Sequence, residues 1–182
     1  NFDKDALKIL KRKKNLRLID ASNFTLSEIL KFTSTNDNIL VQSEDKKMFK
    51  RNDFKIVSKK KPSISLFNDL IFAFNICRYV KSNAIVLASN KSTLGIGCGQ
   101  TSRLDSCQIA IDKMKKFTKP SKDIVAASDA FFPFTDGIEK LVQSGVKAVI
   151  QPAGSIKDKE VIKFANETGT ILVFSKTRHF RH

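Results

Sequence analysis

Four short stretches of the chain hold residue types and spacings that could do chemistry. In Gly95-Ile96-Gly97-Cys98-Gly99-Gln100-Thr101-Ser102-Arg103, glycine at every other position lets main chain approach a ligand closely. Ser102 and Asp105 read as an S-x-x-D helix cap that leaves N–H groups facing outward. Arg103 adds a planar cation suited to carboxylate or phosphate. The stretch is neither a G-x-G-x-x-G nor a Walker loop, so nucleotide binding does not follow, and a hairpin strand ending in a glycine-rich turn fits equally well. In Ser128-Asp129-Ala130-Phe131-Phe132-Pro133-Phe134-Thr135-Asp136, three Phe and a Pro directly after a strand would crowd the sheet end if all turned inward. An aromatic wall beside two carboxylates suits a flat heteroaromatic ligand with ring N–H donors; the plainer reading is a hydrophobic staple onto the next helix.

The other two stretches are plainer. Gln151-Pro152-Ala153-Gly154-Ser155-Ile156-Lys157-Asp158 offers a second S-x-x-D pair, best read as a structural cap. Thr177-Arg178-His179-Phe180-Arg181-His182 interleaves the chain's two histidines with two arginines, ready for an anion or else a disordered basic tail. There is no G-x-S-x-G, no H-E-x-x-H and no H-x-E paired with P-C-x-x-C. Cys77, Cys98 and Cys107 lack metal-site spacing and sit in apolar-patterned segments, so buried, inert thiols are expected, with no disulfide and no zinc.

These stretches need elements to hold them. The spacing predicts a helix over 3–14, a short strand over 16–19, a capping box at Thr25–Glu28 and a strand over 39–42. Residues 43–63 are dense in charge and read as a linker, which places a domain cut after residue 61. Beyond it the pattern is regular. Helix 65–80 is followed by strands 84–88 and 93–97, joined as a hairpin by Asn90-Lys91. Helix 102–116, strand 124–128, helix 136–144, strand 147–151, helix 157–167 and strand 171–174 complete it, with Gly145 and Gly169 at helix C-caps. A hairpin followed by alternating strands and helices implies a three-layer α/β/α domain: a mixed sheet with helices on both faces. In such sheets ligands bind at the carboxyl ends of strands, which selects the loops at 97–102, 129–136 and 151–157.

Composition narrows the function classes. The 182 residues carry 33 basic and 18 acidic side chains, a formal +15, with 41% hydrophobic residues and fifteen Phe. That apolar content argues against disorder, and no run is long enough to span a membrane. The charge invites a nucleic-acid reading, yet Lys outnumbers Arg 26 to 7, and residues 123–182 carry only +1. A solvated lysine coat is the better account, so no nucleic-acid or membrane partner is expected. The chain opens at Asn1 with no Met and no apolar leader, from which the expectation is a piece of a longer cytoplasmic protein.

From Lys81 onward the blocks KSNAIVLA, GIGCGQTSRLDS, SDAFFPFTDGIE, VIQPAGSIKDKEVI and RHFRH follow in order. Together they resemble the C-terminal end of the bifunctional purine-biosynthesis family, AICAR transformylase/IMP cyclohydrolase; LKILKRKKNLRL (7–18) fits the same family more loosely. The resemblance implies a cytidine-deaminase-like subdomain over 62–182 and an N-terminal connecting segment of the transformylase region over 1–61. It further implies formyl transfer from 10-formyltetrahydrofolate to AICAR, cyclohydrolase activity in an upstream domain, and active sites across a homodimer interface. By the same resemblance Asn83 positions the formyl group or amine. Arg103 and Leu104 line the folate site, Phe131 and Pro133 pack on the rings, Asp136 accepts hydrogen bonds from the pterin, and Arg178 meets the nucleotide phosphate with support from His182. Ser82 and Asp129 are implied ligands of a monovalent cation such as potassium. The family's Lys-His proton-handling pair is missing, since no Lys here is followed by His, and this chain alone is expected to be inactive. Thr135 stands where the family carries Arg. The competing readings are a basic nucleic-acid-binding module and a domain kept only for dimer assembly.

Overall fold

A computed structural model describes residues 2–23, 30–118 and 122–181. The chain forms two compact units that divide between Lys46 and Lys47. In the first, helix α1 spans Lys4–Leu10, with the Asp3 carboxylate accepting from the N–H groups of Asp5 (2.9 Å) and Ala6 (3.3 Å). It stops short of the expected residue 14. Past Leu10 the run Lys11-Arg12-Lys13-Lys14 stacks like charges and offers no apolar stripe, and the main chain closes into i→i−3 turns instead. The expected strand over 16–19 does not form, since among the described residues nothing forms a ladder with it. The expected capping box at Thr25–Glu28 lies outside the described residues. Strands β1 (Leu30–Thr35) and β2 (Asn38–Ser43) pair as an antiparallel hairpin, Thr35 opposite Asn38.

The second unit is a three-layer α/β/α domain. Its six-stranded mixed sheet has the order β3-β8-β7-β6-β4-β5. Here β3 is Phe54–Ile56, β4 Ile85–Ser89, β5 Ser92–Gly97, β6 Ile124–Ser128, β7 Val146–Pro152 and β8 Ile171–Ser175. The β6, β7 and β8 strands run parallel, while β4 lies antiparallel to both β5 and β6, and β3 antiparallel to β8. Helix α2 (Ile64–Cys77), capped by Ser63 Oγ, covers one face with Leu66, Phe67, Leu70, Ala73, Phe74 and Cys77. The i, i+3, i+4 spacing puts these side chains on one stripe, and each large one, fully buried, contributes roughly 1.5–3 kcal/mol. Helices α3 (Arg103–Phe117), α4 (Asp136–Gln143) and α5 (Asp158–Glu167) cover the other face.

The stretch 43–63 is not a linker throughout. It contains a single 3-10 turn at Arg51–Asp53 and then the edge strand β3, so the packing boundary lies before residue 47 rather than after 61. Phe49, Phe54 and Ile56 are the reason: these apolar side chains pack into the α2-side core while the lysines around them stay in solvent. Asn75 of α2 fixes Phe49 through both main-chain groups, accepting its N–H at 2.8 Å and donating to its carbonyl at 3.1 Å.

Two details of the hairpin position the site. The Asn90-Lys91 turn has positive φ at both residues, and the buried Asp69 carboxylate accepts both of their N–H groups (2.9 and 2.8 Å). Gly95 and Gly97 let α3 lie directly on β5, since a Cβ on either would collide with the main-chain carbonyl of Ala110 or Ser106. With β6, β7 and β8 parallel and β4 reversed, the loops following β5, β6 and β8 and the segment preceding β4 meet at one sheet edge.

Candidate functional site

A cleft of about 540 Å³ opens at that edge. Seven of the residues singled out from the sequence line it together: Asn83, Arg103, Leu104, Phe131, Pro133, Asp136 and Arg178. His182 lies outside the described residues. Ser82 and Asp129 are close by without lining the cleft: Ser82 is half-buried at the start of the Asn83 segment, and Asp129 is buried beneath.

The floor is a closed polar network centred on Arg103, the first residue of α3. Its guanidinium donates to Asn83 Oδ1 at 2.7 Å and Ser128 Oγ at 2.8 Å, and it forms an ion pair with Asp129. The Arg103 side chain is 12% exposed and that of Asp129 1%. A carboxylate so deep needs this partner, and the partner's charge is thereby neutralised. The Asn83 amide donates to the carbonyls of Gln100 (2.9 Å) and Thr101 (3.1 Å), so both its amide hydrogens are taken and its oxygen carries one bond already. Ser106 Oγ of α3 donates to the Asn83 carbonyl at 2.8 Å, and Ser128 Oγ to that of Ala130 at 2.6 Å.

The rim is aromatic and charged. Of the three phenylalanines after β6, Phe132 is buried and Phe131 half-buried, while Phe134 is 61% exposed. Both sequence readings of this stretch hold in part. Phe132 staples onto α4, its ring so close that a Cβ on Gly137 would lie 2.6 Å from it, while Phe131 and Phe134 form the wall. Asp136 is exposed at the start of α4, accepting the Gly137 N–H at 2.7 Å. Arg178 is exposed and stacks over Phe180, 4.9 Å from the ring centroid. Among the described residues no carboxylate is paired with Arg178.

Several expectations need correction. Ser102 occupies the N-cap of α3 without a side-chain bond, so the first S-x-x-D cap is not made. In the second, Asp158 already belongs to α5 and accepts the Gly154 N–H at 2.8 Å, while Ser155 accepts from Lys157 N at 3.1 Å. The 151–157 loop contributes nothing to the cleft lining. Cys98 is exposed rather than buried, because it follows the end of β5 and leaves the packed sheet. Cys77 and Cys107 are buried; burial pushes the Cys77 thiol well up and that of Cys107 up to about 12. All three thiols are free. The C-terminal segment is tied down, with His179 N donating to the Asp129 carbonyl (2.9 Å), Arg181 N to Ser82 Oγ (3.2 Å) and Ser82 N to the Arg181 carbonyl (2.9 Å).

Ser128, Phe134 and Phe180 lie within the motifs read from the sequence, which give none of them a role of its own. Ser128 carried a signal in hindsight: a hydroxyl ending an apolar strand at a carboxyl edge has to be satisfied by something. None of the described residues lining the cleft is His, Lys or Cys. Among the described residues no three His, Cys, Asp or Glu converge as metal ligands, and no helix is long and apolar enough to cross a membrane.

Comparison with known proteins places this geometry in a family. A profile of the AICARFT/IMPCHase bienzyme family matches residues 1–113. The bifunctional purine biosynthesis protein PurH of Persephonella marina is 45% identical over 184 residues, covering 100% of this chain and 35% of the relative. PurH of Aquifex aeolicus is 43% identical over 182 residues, and that of Chlorobium phaeobacteroides 42% over 181, again covering the whole chain and 35% and 34% of the relatives. The chain thus spans about a third of the length of the curated relatives it matches. The family match reaches across the hairpin unit, α2, the β4–β5 hairpin and the Arg103 helix, and the full-length identity carries it through the rim: the chain belongs to the AICARFT/IMPCHase bienzyme family.

Proposed function

We propose that this chain supplies the folate-side half of a formyltransferase site, where 10-formyltetrahydrofolate donates its formyl group to the 5-amino group of AICAR. In that step the amine nitrogen bonds to the formyl carbon and the N10–carbon bond breaks. The amine loses a proton and N10 gains one. The observation that carries the reading is the split of the cleft into a neutral polar floor and an aromatic rim whose Arg178 is paired with no carboxylate among the described residues. An aromatic amine is a weak nucleophile, so the site must orient it and support the tetrahedral oxyanion.

Asn83 has its donors engaged and therefore serves as an acceptor, its Oδ1 restraining an amine N–H. Leu104, Phe131 and Pro133 are placed to pack on a pterin ring, and Asp136 to accept its ring N–H groups. Arg178 is the cation for the nucleotide phosphate, with His182 in support. Arg103, already paired, holds Asn83 in register at the mouth of the folate site. Among the described residues the cleft lining offers no His, Lys or Cys beside Asn83 to carry the proton, which supports assigning proton handling to the preceding subdomain.

In this proposal the cytidine-deaminase-like subdomain is the expected 62–182 extended back to Lys47 by the edge strand β3, and the residues before it are the connecting segment. The cyclohydrolase resides in a domain outside this chain, the site is completed across a homodimer interface, and the compartment is the cytoplasm. Ser82 and Asp129 are a poor fit for a potassium ion as they stand. Ser82 Oγ accepts from Arg181, and the Arg103 guanidinium contacts the carboxylate a cation would need. No step is assigned to such an ion.

Calorimetry of a reduced folate and AICAR against a dimer containing the preceding subdomain tests the reading, with a formyl-transfer assay on this chain alone beside it. Binding by the dimer with negligible turnover by the isolated chain is expected. A dimer that binds neither ligand, or an isolated chain at the full rate, overturns it.

A further inference from the structure

Arg178 is presented by a five-residue segment with no secondary structure of its own, yet it occupies a defined place in the cleft. What sets that place is the residue beside it. Along 178–180 burial alternates: Arg178 and Phe180 face solvent and line the cleft, while His179 between them is 1% exposed. The His179 ring is edge-on to Phe49 (centroids 5.2 Å apart, 88°) and tilted against Phe74 (4.6 Å, 45°). Phe49 and Phe74 are in turn edge-on to each other at 5.0 Å, and Phe54 closes on both. Phe49 itself is 3% exposed and is held by the two Asn75 hydrogen bonds.

We propose that the Phe49–Phe74 slot is a positioning device for Arg178. His179 keys the C-terminal segment into it and thereby sets the register at which Arg178 and Phe180 face the cleft. Main-chain bonds alone leave the register open, because a shift by one residue still offers N–H and carbonyl groups to the Asp129 carbonyl and to Ser82. A one-residue slip would, however, drive the Arg178 guanidinium or the Phe180 ring into the slot and turn His179 out. Desolvation opposes a guanidinium enclosed by three Phe rings, and close packing opposes the larger Phe180. The positioning path thus runs from Asn75 through Phe49 and His179 to Arg178, and Phe49 acts on the ligand without touching it.

The inference rests on the reading of Arg178 as the phosphate cation, and the test separates the two. In the complete polypeptide that carries this chain, AICAR affinity, KM and kcat are measured for Arg178→Ala, Phe49→Ala, their double variant, and the refilling variants Phe49→Leu and His179→Leu. A reduced folate serves as the control ligand. Removing a charge-assisted contact should weaken AICAR about tenfold or more in Arg178→Ala, with Phe49→Ala close to it. The double variant should be no weaker than Arg178→Ala alone, because Phe49 works only through Arg178. The loss should appear in KM for AICAR more than in kcat, folate affinity should hold, and both Leu variants should recover most of the loss. Should Phe49→Ala fail to fold, His179→Ala empties the slot from the other side and enters the same cycle. Additive losses, a parallel fall in folate affinity, or AICAR affinity kept within about twofold in the folded slot variants each overturn the inference. An Arg178→Ala variant with parental AICAR affinity overturns the functional reading beneath it as well.

Discussion

Floor and rim of the cleft are built from the same three residue types, an arginine, a carboxylate and phenylalanines, and differ in what surrounds them. Arg103, Asp129 and Phe132 are enclosed, the first two as an ion pair and the third under α4. Arg178, Asp136 and Phe134 stand in solvent. Enclosure turns charge inward, so that Arg103 and Asp129 serve structure and orient Asn83. Exposure leaves the rim's charge and rings open to solvent, where the proposed ligands would meet them. Residue type alone therefore does not tell a binding arginine from a scaffolding one.

Substitutions should separate the two regions by kind of effect. Asp129→Ala leaves a buried guanidinium uncompensated and should cost about 3–5 kcal/mol of stability, read from the urea midpoint. A loss below about 1 kcal/mol would mean that the floor is not the closed network described. Next comes Gly97→Ala, which forces α3 off β5 and should cost about 1–3 kcal/mol while moving Arg103 away from Asn83. Unchanged stability with unchanged folate affinity would contradict that contact.

A pH series sharpens the comparison further. Cys107, beneath the floor, is raised by burial from 9.0 to about 12 in the folded chain. The unfolded chain ionises this thiol first, so its contribution is complete below about pH 9 and is lost as pH rises toward 12, at about 1.4 kcal/mol per pH unit. Urea midpoints of Cys107→Ala should fall less steeply with alkali than those of the parent, and equal slopes would refute this. At the rim, Asp136→Asn should move stability by no more than about 0.5 kcal/mol while reduced-folate affinity falls, separable by melting and calorimetry.

The regular half of the fold was legible because its apolar positions are dense. Leu66, Phe67, Leu70, Phe74 and Cys77 fall on one stripe of α2, and the strands of the central sheet are continuous apolar runs. Legibility failed where a few apolar residues lie among many charges. Phe49, Phe54 and Ile56 belong to the core, but lysines mask their pattern, and β3 becomes a strand only by pairing with β8, more than a hundred residues away. Strand β1 carries a weaker cue, the Asn36-Asp37 pair between Leu30-Lys31-Phe32-Thr33 and the apolar run Ile39-Leu40-Val41.

The site divides in the same way. Its rim was legible as motif, since Phe131, Pro133, Asp136 and Arg178 sit in unusual local sequence. The floor was not, because Arg103 meets Asn83 and Asp129 across 20 and 26 residues of chain, and no local rule announces such a partnership. The cap motifs misled for a related reason. Ser102 and Ser155 have the right neighbours, yet Ser102 stands at the N-cap of α3 without making the side-chain bond, and α5 begins only at Asp158, past Ser155.

The two glycines of β5 have one more consequence. Main chain rests on main chain where α3 crosses Gly95 and Gly97, so the gap between helix and strand is fixed by atomic radii rather than by chosen side chains. Arg103 begins that helix, and its reach toward Asn83 is therefore gauged by a spacer that substitution can only lengthen. Drift in the surrounding core can repack rings and aliphatic chains without resetting that length, which makes β5 a ruler against which the floor of the cleft is built.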